Sequence, residues 1–187
     1  MTSATGGVLT TTLPDEVALR RFIQGLIAGV TGLPGAMVRP RWQRSPVRMP
    51  DFDENWCAFA IGARTPDANS YHEQSTDLTA KVLRHETLTI PCSFYGPAGA
   101  SYAELLRDGL ELSQNREVLL IAAMGFVECS PTLHLPELHN QEWYERYDLE
   151  LFLRREIGKQ YDILCFTGAI GAIITETLTL PFEVSQP

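Results

Sequence analysis

A chain of 187 residues has the length of one domain, and at that size an apolar core can hold the fold without disulfides or a structural metal. With 44% hydrophobic and 20% charged residues it is an ordinary globular sequence, which excludes a disordered or low-complexity protein. A formal net charge of −8 argues against a protein that grips nucleic acid, because that grip comes from Lys and Arg neutralising phosphates.

Residues 1–12, MTSATGGVLTTT, are small and polar, carry no periodic apolar face and predict a flexible N-terminal arm. They hold neither a basic n-region nor an apolar h-region, so no signal peptide is expected, and no apolar run reaches the ~20 residues of a membrane span. A single domain is expected over 13–180, followed by an exposed tail, PFEVSQP, at 181–187. The domain opens on a helix. Thr12 can cap it, Pro14 suits its first turn, and Asp15 and Glu16 complement its dipole. Val17, Phe22, Ile23, Leu26, Ile27 and Val30 form its apolar side, and Gly32 can end it. Pro40, Pro46 and Pro50 then forbid a helix over 38–56 and leave most of it an extended, loop-like segment.

The spacing predicts a strand over 56–64, with Trp56, Ala58 and Ala60 on one face and Cys57, Phe59 and Ile61 on the other, as in a central strand. TPDANS at 65–70 is a turn, and 71–83 can extend as a further strand. The stretch 84–117 is the centre of the fold. Leu88, Ile90, Cys92 and Phe94 alternate with Thr87, Thr89, Ser93 and Tyr95, Gly96-Pro97 breaks the strand, and Ser101 with Glu104 fits a capping box. Leu105, Leu106, Leu110 and Leu112 give the helical stripe that follows. Ser113 or Asn115 can cap a short helix over 116–124 ended by Gly125, with a strand over 126–130 and a proline-punctuated loop over 131–141. Over 145–155, Tyr147, Leu149, Leu151 and Leu153 alternate with Arg146, Asp148, Glu150 and Arg154, the pattern of a half-buried strand. Final strands are expected over 161–166 and 173–180 around a GAIGAI bend. The fold class expected is α+β: a mainly antiparallel β-sheet sandwich flanked by two or three helices, with extended loops and arms.

Sets of residues that could carry chemistry are weak. Ser93, His85 and Asp77 are the types of a nucleophilic triad, but no G-x-S-x-G elbow surrounds the serine, and His85 beside Glu86 reads as a polar pair at a strand edge. His134 and His139 flank Glu137, yet their spacing is not i, i+4 and Pro136 opposes a helix, so a solvated loop is the simpler reading than a metal site. The glycines of GAIGAI do not make G-x-G-x-x-G. Cys57, Cys92, Cys129 and Cys165 are widely spaced without a C-x-x-C and read as reduced core thiols. Arg39, Arg41, Arg44 and Arg48 around Trp42 form the one basic cluster, better suited to a protein contact loop than to nucleic acid at this net charge. No catalytic, cofactor-binding or metal residue is assigned, and no cofactor is expected.

Three successive segments, LRRFIQGLIAGVTGLPGAMVRPRWQ, MPDFDENWCAFAIG and RHETLTIPCSFYGPAGASYAELLRDGLELSQNRE, resemble a family of phage and prophage neck or tail terminator proteins, from about residue 19 to about residue 161. The resemblance implies a virion structural protein, not an enzyme, built in the host bacterial cytoplasm into the neck of the tail. Such subunits close into a ring, commonly a hexamer, that caps the tail tube, anchors the sheath where the tail is contractile and meets the neck connector or stopper. Genomic DNA passes through the lumen without specific binding, which an acidic chain favours, and no membrane is involved. The loop at 43–55 and the strand at 145–155 are expected at subunit or partner contacts. Two alternatives stay open: another head–tail connector or tail-completion protein, and a small α+β hydrolase or ligand-binding domain.

Overall fold

A computed structural model describes residues 9–43, 48–74, 79–139, 141–163, 168–174 and 179–185. The chain divides into two compact units, one of Leu13–Ser70 with Leu83–Ile157 and one of Met1–Thr12, Tyr71–Val82 and Gly158–Pro187. The fold is α+β with a mainly antiparallel sheet, as the sequence pattern implies.

Helix α1 (Glu16–Thr31) begins later than Thr12 would place it. Asp15 is the cap: its Oδ1 accepts from the N–H groups of Val17 and Ala18, both at 2.9 Å, which satisfies two donors that have no partner within the helix. Gly32, at φ 76°, closes the helix in the left-handed region. A 3₁₀ turn over Gly35–Met37 leads into β1 (Val38–Pro40), which runs parallel to β2 (Trp56–Phe59). The strand expected over 56–64 is split in two, with β3 at Arg64–Pro66. The interruption lies opposite Pro91, which has no N–H to give to the ladder, so Ala60 donates to the Pro91 carbonyl and the pairing resumes at Arg64 and Leu88.

After β4 (Tyr71–Gln74) comes β5 (Thr79–Tyr95), the longer form of the central strand. It ends at Gly96, whose φ of 98° suits only glycine and whose missing Cβ leaves room for the Glu54 carbonyl. Helix α2 (Gly99–Gly109) starts before Ser101, so the expected capping box does not form. Asn55 does the terminal work instead, accepting from the Ala98 N–H through its side-chain oxygen at 2.8 Å. Helix α3 (Ser113–Ile121) likewise begins ahead of the expected 116 and has no side-chain cap. Asn115 turns back to donate to the Gly109 carbonyl, and Arg116 to that of Leu110, tying the two helices together.

Strand β6 (Met124–Cys129) takes in Gly125, which therefore does not end a helix. The region expected as loop carries two short strands, β7 (Leu133–His134) and β8 (Glu137–His139), and β9 (Glu142–Tyr144) just after it pairs with β8 as a hairpin. Strand β10 (Arg146–Asp162) follows. The sheet order is β1-β2-β5-β10-β6, with β3 and β4 on β5 and β7 on β10. The GAIGAI stretch is not a bend. It lies in β11 (Gly168–Ile174), paired antiparallel with β12 (Thr179–Ser185), a strand that runs into the stretch read as a tail. Ile suits a strand ladder, and a strand tolerates glycine at a cost smaller than the hydrogen bonds it gains. Residues 164–166 of the expected penultimate strand, and 1–8 of the arm, lie outside the described residues. Among the described residues no helix is long and apolar enough to cross a membrane.

In the larger unit, alternation along the strands separates two faces. Cys57, Phe59, Leu88, Ile90, Cys92, Phe94, Leu149, Leu151 and Leu153 point to one side, where Ile23, Ile27, Ala103, Leu106, Leu110 and Leu119 of the three helices cover them. The opposite side holds a small cluster of Trp56, Ala58 and Tyr95, against which Met37, Met49 and Tyr144 pack.

Candidate functional site

On that second face lies a groove of about 520 Å³, lined chiefly by Arg39, Arg41, Trp42, Trp56, Tyr95 and Arg146, with Glu137 at its edge. Its floor follows from strand register. Trp56 and Tyr95 are directly paired across β2 and β5, and their rings stack at 4.3 Å with planes 7° apart. The Arg146 guanidinium lies 5.9 Å from the Tyr95 ring centre, within cation–π reach. Burial, first of all, raises the pKa of the Tyr95 phenol.

Beneath the groove a polar chain links three strands. Arg41, held by its N–H to the Phe59 carbonyl at 2.7 Å, donates to Ser93 Oγ, and Ser93 donates to Asp148. Arg146 grips Asp148 with both arms of its fork, Nε to Oδ1 at 2.8 Å and Nη2 to Oδ2 at 2.7 Å, and reaches Glu137 at 3.1 Å. Burial works against the charged form of Asp148, but the hydrogen bonds from Arg146 and Ser93, with the charges of Arg146 and Arg41, outweigh it and hold the carboxyl below its usual range. The hydrogen bond to Asp148 raises Arg146 further, against the pull of burial.

Two features of the groove are unresolved locally. Trp56 is buried, yet its indole N–H has no acceptor among the described residues. Trp42, at the rim, is 81% exposed and sits at φ 54°, a left-handed backbone that costs a bulky side chain energy.

The sequence matches the phage neck terminator protein family over residues 17–177. The chain belongs to the phage neck terminator family. It is thus a structural protein of the phage tail, located in the virion and associated with other tail and neck proteins. No curated protein sequence matches it.

The sequence-level candidates scatter around this site. Arg39 and Arg41 of the basic cluster line the neck terminator's groove. Arg48 turns outward to Asp51 at 3.0 Å while its carbonyl accepts from Arg39 at 2.8 Å, and Arg44 lies outside the described residues. Ser93 is fully buried and bonded to Arg41 and Asp148, whereas His85 faces Glu156 at 3.7 Å, and Asp77 lies outside the described residues. A serine with no imidazole beside it and no access to solvent is framework. His134 pairs with Glu145 at 2.5 Å and stacks on Tyr147, while His139 meets the edge of Tyr144, so the two histidines do not converge. Among the described residues no three metal-type side chains come together. Cys57 and Cys92 are fully buried free thiols, and burial pushes the Cys129 thiol up to about 12. Cys165 lies outside the described residues.

Sequence reading missed Trp56, Tyr95 and the Arg146–Asp148 fork as parts of one site. The polar i, i+2 pair on the 145–155 strand was a visible signal, but its partner on β5 depends on register.

Proposed function

We propose that this neck terminator closes into a ring at the head-proximal end of the tail. One face of the ring caps the last layer of the tail tube, the other meets the neck connector, and in a contractile tail the ring also anchors the end of the sheath. The mechanism is geometric: an interface that repeats head to tail closes a ring when the rotation between copies divides a full turn. The family match over 17–177 carries this reading. Two unlike exposed surfaces, the arginine–aromatic groove on one face of the sheet and apolar residues of α2 and α3 on the other, support it, because a head-to-tail interface needs two different patches. A net charge of −8 suits a lumen through which DNA must pass without sticking. No catalytic or cofactor step has a part in it.

Cryo-electron microscopy of the neck in assembled virions tests the proposal. The expected density is a closed ring of this chain between tube and connector. A single dispersed copy per particle, or a ring on the connector's far side, would overturn it, the second in favour of another head–tail connector.

A further inference from the structure

We infer that copies of this chain join by seating the α2–α3 helical pair of one copy in the arginine–aromatic groove of the next. The inference rests on the ring proposed above and names its interface.

Three observations carry it. The first is placement. Leu106, Leu110 and Leu119 pack α2 and α3 onto one face of the sheet, whereas Trp56 and Tyr95 put the groove on the other. A head-to-tail contact through these two surfaces leaves each copy one free donor and one free acceptor surface, the condition for closing a ring.

The second is charge. Arg39 and Arg41 line the groove without a carboxylate in ion-pair range among the described residues: Arg39 donates to the carbonyls of Ala36 and Arg48, and Arg41 to Ser93. The α2–α3 pair exposes the opposite sign. Asp108 and Glu111 are matched by Arg107 and Arg116, while Glu104 and Glu117 are exposed and have no ion pair among the described residues. Two cations with no direct ion pair on one surface, Arg41 reaching Asp148 only through Ser93, and two carboxylates with no direct ion pair on the other are complementary, and complementary charge fixes partner and register at an interface.

The third is apolar surface. Leu120 is 72% and Ile121 87% exposed at the end of α3, with Leu112 uncovered at the turn between the helices. In the groove, Trp42 projects into solvent and lines the same surface as the stacked Trp56 and Tyr95 rings. Large aromatics and arginine are the anchors that protein interfaces favour, and each surface supplies what the other lacks.

The experiment uses the full chain, assayed by native mass spectrometry and by electron microscopy of tails assembled with it. Three variants are compared with wild type: Arg39→Glu in the groove, Glu104→Arg with Glu117→Arg on the helices, and Ile121→Asp, whose exposure makes misfolding no explanation. Each is expected to lower ring formation about tenfold or more, since like charge or a bare carboxylate at an interface opposes association. Combining the groove and helix charge reversals in one chain is expected to restore rings. Wild-type rings with every variant unimpaired would overturn this interface alone, as would a combined variant as dispersed as its parents. A wild-type chain that forms no ring, free or on tails, would overturn the ring and the interface together.

Discussion

The two faces of the central sheet are built from the same strands and differ in almost everything else. On the helix-covered face, side chains from β5, β10 and three helices fill the space with aliphatic and aromatic groups, many of them wholly buried. Of the charged pairs there, Glu86 with Arg155 at 2.7 Å is nearly closed to solvent, whereas Arg64 with Glu16 of α1 is partly exposed. On the other face the cover is thin, the centre is a stacked Trp56–Tyr95 pair, and the polar groups run in a chain from Arg41 to Glu137. The first face holds the protein together. The second is open and charged, with the strained Trp42 at its rim.

The largest effects belong to the first face. Phe94→Ala should cost about 3–5 kcal/mol in denaturant unfolding, from lost burial and an unfilled cavity. A loss near that of an exposed residue would mean the helices do not cover β5 as described. Arg155→Ala should cost about 3–5 kcal/mol as well, because it strands the Glu86 carboxylate in a buried site. Replacing both partners, Glu86→Leu with Arg155→Met, should recover most of that loss. Failure to recover would show that the pair contributes more than its own neutralisation.

Effects on the second face should be smaller and conditional. The Asp148 carboxyl is held below its ordinary range, so its stabilising contribution is present above about pH 4 and is lost as acid protonates it in the folded state. Asp148→Asn should therefore be less stable than wild type at pH 7, with urea midpoints that converge toward pH 3. A gap of constant size at both pH values would remove the carboxylate from the account. The smallest stability change should come from Trp42→Gly, which relieves a left-handed backbone at an exposed site and should leave the melting temperature unchanged or raise stability by about 1 kcal/mol. The same variant should form fewer rings. Ring formation equal to that of wild type would deny Trp42 any part in docking.

The differences between sequence and structure have a common origin. Alternation at Leu88, Ile90, Cys92 and Phe94, and again at Leu149, Leu151 and Leu153, placed all seven side chains in the core. Helix termini were less legible, because Asn55, remote from α2 in the chain, takes the place of the expected Ser101 cap. Split β2 and β3 turn on a single proline in the facing strand. Ser93, which with His85 looked like part of a catalytic set, is committed to two residues far along the chain on either side.

The sequence by itself determined the α+β class, the buried face of each main strand, the first helix, the turn at Gly96 and membership of the phage neck terminator family. These are local matters: period-two and helical patterns, glycine at positive φ, and a run of residues that a family shares. Tertiary structure alone decided that Glu86 meets Arg155, that Arg41, Ser93, Asp148 and Arg146 form one chain, and that Trp56 and Tyr95 floor a groove. Apart from the neighbouring Arg146 and Asp148, these join residues dozens of positions apart, and only the register between strands says which side chains come face to face.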